Sequence, residues 1–243
     1  MKYALITDIH GNLAALEQVL KKVDSEHCDK IICLGDVVGY GPFPNECLAQ
    51  VKKRVDGVIV GNHDAAAIAM TDTSDFNENA KKALIWTRRQ LTPENRDYVR
   101  TFSTTWDENG ALFVHASPKE PTLWHYILTD KDVMDASLFF DHRVCFFGHT
   151  HYPIAYYFDP LLPDFTFLRE STIVFKDQGR YLVNVGSVGQ PRDRNPQAAF
   201  GLFDTAEGTY RHVRVDYDIK KTQAAMEMQR LPRFLIQRLQ SGW

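Results

Sequence analysis

Tyr3-Ala4-Leu5-Ile6-Thr7-Asp8-Ile9-His10-Gly11-Asn12-Leu13 is the stretch on which the reading of the fold turns. Its first five residues form an apolar run of the length and composition of a buried strand. A helical stripe follows from about Asn12, with Leu13, Leu16, Val19, Leu20 and Val23 on one face. Lys30 to Leu34 repeats the strand pattern. Pro44 suits a helix start, Leu48, Val51 and Val55 continue its stripe, and Gly57 to Val60 supplies a third strand. Strand, helix, strand, helix, strand implies parallel pairing with right-handed crossovers. The Asp8-Ile9-His10 segment then falls at the C-terminal end of the first strand.

Residues 77–102 read as helical, with Pro93 starting a second helix. Beyond them the pattern turns to short strands. Thr104 to Trp106 and Ala111 to His115 flank Asn109-Gly110, a hairpin signal. Val144 to Phe147, Ile154 to Phe158, Ser171 to Phe175, Tyr181 to Val185, Ala198 to Phe203 and Thr209 to Val215 follow as strands. Helical segments near Ile219 to Gln229 and Pro232 to Leu239 close the chain. No repeat, low-complexity tract or linker divides it, so residues 1–243 are expected to form one domain. The expected class is α+β (α/β), a four-layer αββα sandwich of two mixed sheets flanked by helices.

The balance of 28 basic against 31 acidic residues, with no block of like charge, argues against a protein that coats nucleic acid or an anionic membrane. Anionic substrates stay open, because bound cations can supply positive charge. Cys28, Cys33, Cys47 and Cys145 form no Cys-x-x-Cys pair and read as small buried hydrophobes in a reducing compartment. The N-terminus carries no long apolar core of a signal peptide, and no apolar run reaches the length of a membrane span. A cytoplasmic location is expected.

Five segments place metal-ligand residue types just after an expected strand: Asp8-Ile9-His10, Gly35-Asp36, Gly61-Asn62-His63-Asp64, His115, and Gly148-His149-Thr150-His151. Parallel strands deliver their C-terminal ends to one sheet edge, where loops gather ligands distant in sequence. Singly, each has an ordinary explanation: Asp8 as a helix cap, Asp36 and Asn62 as turn residues, His115 as a hydrogen-bonded core histidine. On an extended segment, an Asp-x-His or His-x-His pair would point both side chains the same way. All five in order, each at a strand end, make coincidence a poor account.

With these blocks in view, the sequence resembles the calcineurin-like metallophosphoesterase family. The likeness is to its small bacterial and archaeal branch, related to diadenosine tetraphosphatases and compact phosphodiesterases. Val38-Gly39-Tyr40-Gly41-Pro42, Asn184-Val185-Gly186-Ser187 and Gly189-Gln190-Pro191-Arg192 extend it over nearly the whole chain. Ala116, where relatives often carry glycine, is a departure that touches no ligand. The resemblance implies one metal held by Asp8, His10, Asp36 and His151, and a second by Asp36, Asn62, His115 and His149. A bridging carboxylate with neutral imidazoles suits manganese, iron, cobalt, nickel or zinc, with manganese favoured, better than magnesium alone. It further implies hydrolysis of a phosphodiester or dinucleoside polyphosphate by direct attack of a metal-bridging hydroxide, without a phosphoenzyme. His63 is expected to be the general acid, with Asp64 orienting and charging its ring. The alternative for Asp64 is a helix cap.

Other residues stay open between two readings. Arg192 and Arg194 fit either a phosphate or nucleoside contact or a solvated turn. Tyr40, Trp124, His125 and Tyr126 fit either an aromatic wall for a base or ordinary core. Asn184 to Ser187 fit a role in fixing the backbone near the metals. His27, His142 and His212 read as structural or surface residues, and Leu231, Phe234, Leu235 and Leu239 as a packing or subunit-interface face. The expected partner is a small phosphorylated substrate, nucleotides included. A homo-oligomer stays open, and neither a stable nucleic-acid partner nor a membrane is expected. Competing functions are a phosphoprotein serine/threonine phosphatase, disfavoured because no arginine precedes Arg54, a repair-type DNA nuclease, and a non-catalytic scaffold of the same fold.

Overall fold

The structure, a computed structural model, describes residues 1–243. Strand β1 (Lys2–Ile6), helix α1 (Leu13–Ser25), β2 (Lys30–Cys33), α2 (Pro44–Arg54) and β3 (Gly57–Val58) build the expected parallel unit, with β1 on β2 and β2 on β3. The third strand is shorter than expected, and Ile59 makes only an isolated bridge to Ser103. Next come α3 (Asn62–Ala67), α4 (Glu78–Gln90) and α5 (Pro93–Val99). As expected, Pro93 starts a second helix: Thr92 caps α5 by accepting from Asn95 N and Pro93 takes the first turn.

The hairpin β4 (Thr105–Glu108) and β5 (Ala111–Val114) pairs across Asn109-Gly110, both with positive φ (51° and 74°), the geometry of a two-residue primed turn. Helix α6 (Asp130–Ser137) precedes β6 (Val144–Phe147), β7 (Ile154–Phe158), β8 (Phe165–Leu168), β9 (Thr172–Val174), β10 (Arg180–Asn184), β11 (Ala198–Asp204) and β12 (Thr209–Val215). Helices α7 (Ile219–Met228) and α8 (Arg233–Ser241) end the chain. One six-stranded sheet runs β3-β2-β1-β11-β12-β9, the other β4-β5-β6-β10-β7-β8. Both are mixed, as expected.

Side chains of a strand alternate between faces, and here both faces are covered. Tyr3, Leu5, Ile32 and Leu34 meet Phe113, Phe146, Tyr181 and Val183 in a core between the sheets. Ala4, Ile6, Ile31 and Cys33 face outward onto Leu16, Val19, Leu48 and Val51 of α1 and α2. On the other side, Val114, Cys145, Phe147 and Leu182 pack on Val133 and Ala136 of α6. Helix, sheet, sheet, helix is the consequence, and it explains why these strands read as continuous apolar runs.

Strand β8 and helix α6 are among the elements that the sequence pattern does not show. Strand β8 is an edge strand with Thr166 and Phe167 exposed, too short and too open for a clear period. Helix α6 has only eight residues and is set by a capping box between Thr129 and Asp132. The four cysteines are unpaired, three of them buried. No helix is long and apolar enough to cross a membrane.

Candidate metal centre

The loops after β1, β2, β3, β5 and β6 converge and bring all seven proposed ligands into one pocket. Two groups form, Asp8 with His10 and His151, and Asp36 with His115 and His149, the donor atoms of each within 4.8 Å of one another. Asn62 joins the second through its Oδ1, 3.2 Å from His115 Nε2. Asp36 stands between them, its Oδ2 3.5 Å from Nε2 of both His10 and His115. None of the seven is more than 6 % exposed.

The surroundings decide which atoms face inward. Three imidazoles donate Nδ1–H to backbone carbonyls: His10 to Val38 O (3.1 Å), His115 to Leu34 O (2.8 Å) and His151 to Gln190 O (2.6 Å). A carbonyl only accepts, so the proton sits on Nδ1 and Nε2 is left as a donor for a cation. Each carboxylate likewise commits one oxygen. Asp8 Oδ2 accepts from Thr7 Oγ1 and His149 N, and Asp36 Oδ1 accepts from His63 N.

This donor set fits divalent metal ions. His10 Nε2 and His151 Nε2 stand 3.1 Å apart, two lone pairs facing each other in a buried site. Asp8 Oδ1 and His149 Nε2 are buried with no hydrogen-bond partner. Such groups are costly unless something positive lies among them. Imidazole and carboxylate together match borderline transition cations.

Charge follows the same logic. Burial works to raise the pKa of Asp8 and Asp36, but His151 beside Asp8 and His115 beside Asp36 hold both well below the usual carboxylate range. Burial pushes His10 and His149 well below the ordinary histidine value. His115 goes the other way: burial opposes it, yet Asp36 holds it up to about 9. A cation here therefore competes with a proton at His115.

The expected extended geometry of the ligand pairs is corrected. Asp8, His10, Asp36, His149 and His151 all have positive φ, between 49° and 64°. The ligand loops are tight left-handed turns, a conformation that non-glycine residues keep only where surrounding contacts enforce it. Glycines at 61 and 148 make room: a Cβ on Gly61 would strike Asp36, and one on Gly148 would strike Thr7 and Asp8.

Other expected site residues divide. His63 lines the cleft, its ring against Tyr40 (4.4 Å), Phe76 (4.8 Å) and His10 (5.0 Å), and burial takes its pKa down to about 4 against the pull of Asp36. Asp64 does not touch that ring. Its Oδ1 accepts from Val38 N and its Oδ2 from Gly61 N, so it ties the start of α3 to the preceding loop. Adjacent residues on a helix point about 100° apart, which separates the two side chains. The capping alternative describes its contacts. Burial, then Asp36, raises Asp64 to about 7.

Arg192 is at the site. Its guanidinium lies over the Tyr40 ring at 5.9 Å, its Nη2 donates to Gln190 Oε1, and its Nε is buried without a partner. Arg194 is not: it is exposed and packs on Trp243 at 4.6 Å, while its N–H donates to Gly242 O. Asn184 holds the ligand loop through Nδ2 to Gly148 O and Thr150 Oγ1, and Ser187 Oγ donates to Asp8 O, the backbone-fixing role. Tyr40, Trp124, His125 and Tyr126 all border the cleft. Asp72, Asp75 and Phe76 border it as well and went unnoticed in the sequence, where an exposed loop before a helix carries no periodic signal.

The model of the calcineurin-like phosphoesterase superfamily domain matches residues 1–208. An uncharacterised protein of Methanocaldococcus jannaschii is 37% identical over 98% of this chain and 97% of its own length. A metallophosphoesterase of Sphaerobacter thermophilus, 36% identical, superposes with a TM-score of 0.88 over 100% of this chain and 99% of that one. A hypothetical protein of Pyrococcus horikoshii OT3, 22% identical, shares the fold with a TM-score of 0.80 over 100% and 98%. With its two six-stranded sheets and its two buried ligand groups, the chain belongs to the calcineurin-like phosphoesterase superfamily, a phosphoester hydrolase family that implies divalent metal ions.

Proposed function

We propose that the protein hydrolyses a phosphodiester or a dinucleoside polyphosphate at a centre of two divalent transition cations, manganese foremost. One observation carries the two-cation reading: a single oxygen, Asp36 Oδ2, is equidistant from imidazole nitrogens of the two ligand groups. Asp8, His10, Asp36 and His151 would hold one cation, and Asp36, Asn62, His115 and His149 the other. When bound, such a pair supplies Lewis acidity toward phosphate oxygens and acidifies water.

The chain's own residues do the rest. Backbone carbonyls at Val38, Leu34 and Gln190 keep three imidazoles aimed inward before any ligand arrives. Arg192, with its unsatisfied Nε, is placed to take a phosphate oxygen, and its fork suits that geometry. His63 is the candidate proton donor to the leaving oxygen. Its neutral ring takes up a proton more readily once a phosphate anion lies beside it. The ring is held by Tyr40 and Phe76 rather than by Asp64.

Metal-reconstituted protein should contain two transition ions per chain by elemental analysis. It should hydrolyse bis(4-nitrophenyl) phosphate or diadenosine tetraphosphate faster than 4-nitrophenyl phosphate. One ion per chain, or preference for the monoester, would overturn the proposal.

A further inference from the structure

The cleft beside His63 and His149 is a cavity of about 360 Å³ whose two flanks differ in chemistry. Its walls are rings. Tyr126 lies flat on His149 with centroids 4.0 Å apart, Trp124 meets His115 edge-on at 5.9 Å, and Phe76 packs on His63. Trp124 is fixed in a left-handed backbone (φ 57°) and its indole N–H donates to Thr71 Oγ1. Tyr126 is 50% exposed, so much of its ring stays open to a ligand.

No lysine or arginine lines this cavity, but Asp72 and Asp75 do. Asp72 spends its oxygens on the amides of Thr73 and Ser74 and on the Ser74 hydroxyl. Asp75 makes no side-chain hydrogen bond or ion pair, which leaves a free acceptor at the mouth. The nearest arginine, Arg192, lies over the ring of Tyr40 and outside the lining.

The geometry points to a nucleobase site in this cavity, selective for a base that offers an exocyclic amine to Asp75. The assignment rests on the phosphoesterase reading and names the organic arm of its substrate. Beyond the proposed metal ligands Asn62 and His149, a chain of further phosphates entering here would meet two carboxylates and no lysine or arginine. A planar ring would stack on aromatic walls. An amino group would donate to Asp75, whereas an oxo group in its place would face a carboxylate that cannot donate. The substrate therefore lies with its base between Trp124 and Tyr126 and its remaining anionic part toward Arg192.

Calorimetric binding to the metal-loaded protein tests this with three ligands whose C–P bonds resist hydrolysis: methylphosphonate and the methylene phosphonate analogues of adenosine and inosine monophosphate. The adenosine analogue should bind at least about tenfold more tightly than methylphosphonate, the size of one stacked base. It should also outbind the inosine analogue. Trp124→Ala should abolish the advantage of adenosine over methylphosphonate. Asp75→Asn, an exposed substitution whose amide can donate or accept, should bring adenosine and inosine level. Equal binding of all three ligands by the wild type, or an unchanged adenosine to inosine ratio in Asp75→Asn, would overturn the inference. Hydrolysis of bis(4-nitrophenyl) phosphate by the same preparation is read separately. Its absence would sink the phosphoesterase reading, while the order of binding would still judge the base site.

Discussion

The metal centre and strand β12 both bury histidine nitrogens that no hydrogen bond satisfies, and their company differs. At the metal centre, His149 Nε2 and Asp8 Oδ1 are orphaned, yet each lies among other inward-facing donors. On β12, both ring nitrogens of His212 are orphaned too, as is the hydroxyl of Tyr210. There no group of metal-ligating side chains forms around them, and burial, then Arg214, depresses His212. The first region concentrates lone pairs and negative charge, which calls for cations. The second holds a single neutral imidazole beside the positive charge of Arg214, which only costs stability. An unsatisfied buried histidine is therefore informative through its neighbours rather than by itself.

The contrast can be broken most severely at Asp36. Asp36→Ala should lower metal content from two ions and reduce turnover by about 10³-fold, roughly 4 kcal/mol of barrier. Full activity with two bound ions would mean that the carboxylate is no more needed than the ring of His212. A smaller loss is expected for His63→Ala: about 100-fold in turnover, with both metals retained by elemental analysis. Loss of the metals would move His63 from proton donor to ligand.

The second region predicts a pH effect. Burial, then Arg214, takes the folded pKa of His212 down to about 4. The unfolded chain, near 6.5, binds more protons between those values, so stability present above about pH 6.5 declines as pH falls toward 4. With chelator present to silence the metal centre, urea denaturation at pH 7 and pH 4.5 should show the wild type losing about 2 kcal/mol more than His212→Gln. Equal losses would show that His212 is not buried as a neutral ring. The smallest effect concerns the loop that aims two ligands. Asn184→Ala, which frees Gly148 O and Thr150 Oγ1, should weaken metal affinity by on the order of tenfold in a competition titration with the chain still folded.

Much of this was legible in the chain itself. The β1-α1-β2-α2-β3 unit was readable because each period is local, and the hairpin because Asn109-Gly110 favours two positive φ angles. The seven ligand types were readable because each follows an apolar run. Helix α6 and strand β8 were not, being too short to show a period. Nor was the division between Arg192 and Arg194. They are two residues apart in one loop, and only the placement of Trp243 and Tyr40 sends one outward and the other to the site.

The amino-acid order by itself determined the four-layer sandwich and the residues able to bind metal, because apolar periodicity and donor chemistry are properties of short segments. The tertiary structure alone decided the rest: the left-handed turns at Asp8, His10, Asp36, His149 and His151, the carbonyls that fix the imidazole protons, the release of Asp64 from His63, and the acidic aromatic cleft. Such a site joins residues far apart in the chain, His10 with His151 at 141 positions and Asp8 with Ser187 at 179. Orientation at that range is set by how two sheets and their loops pack, which no local pattern encodes.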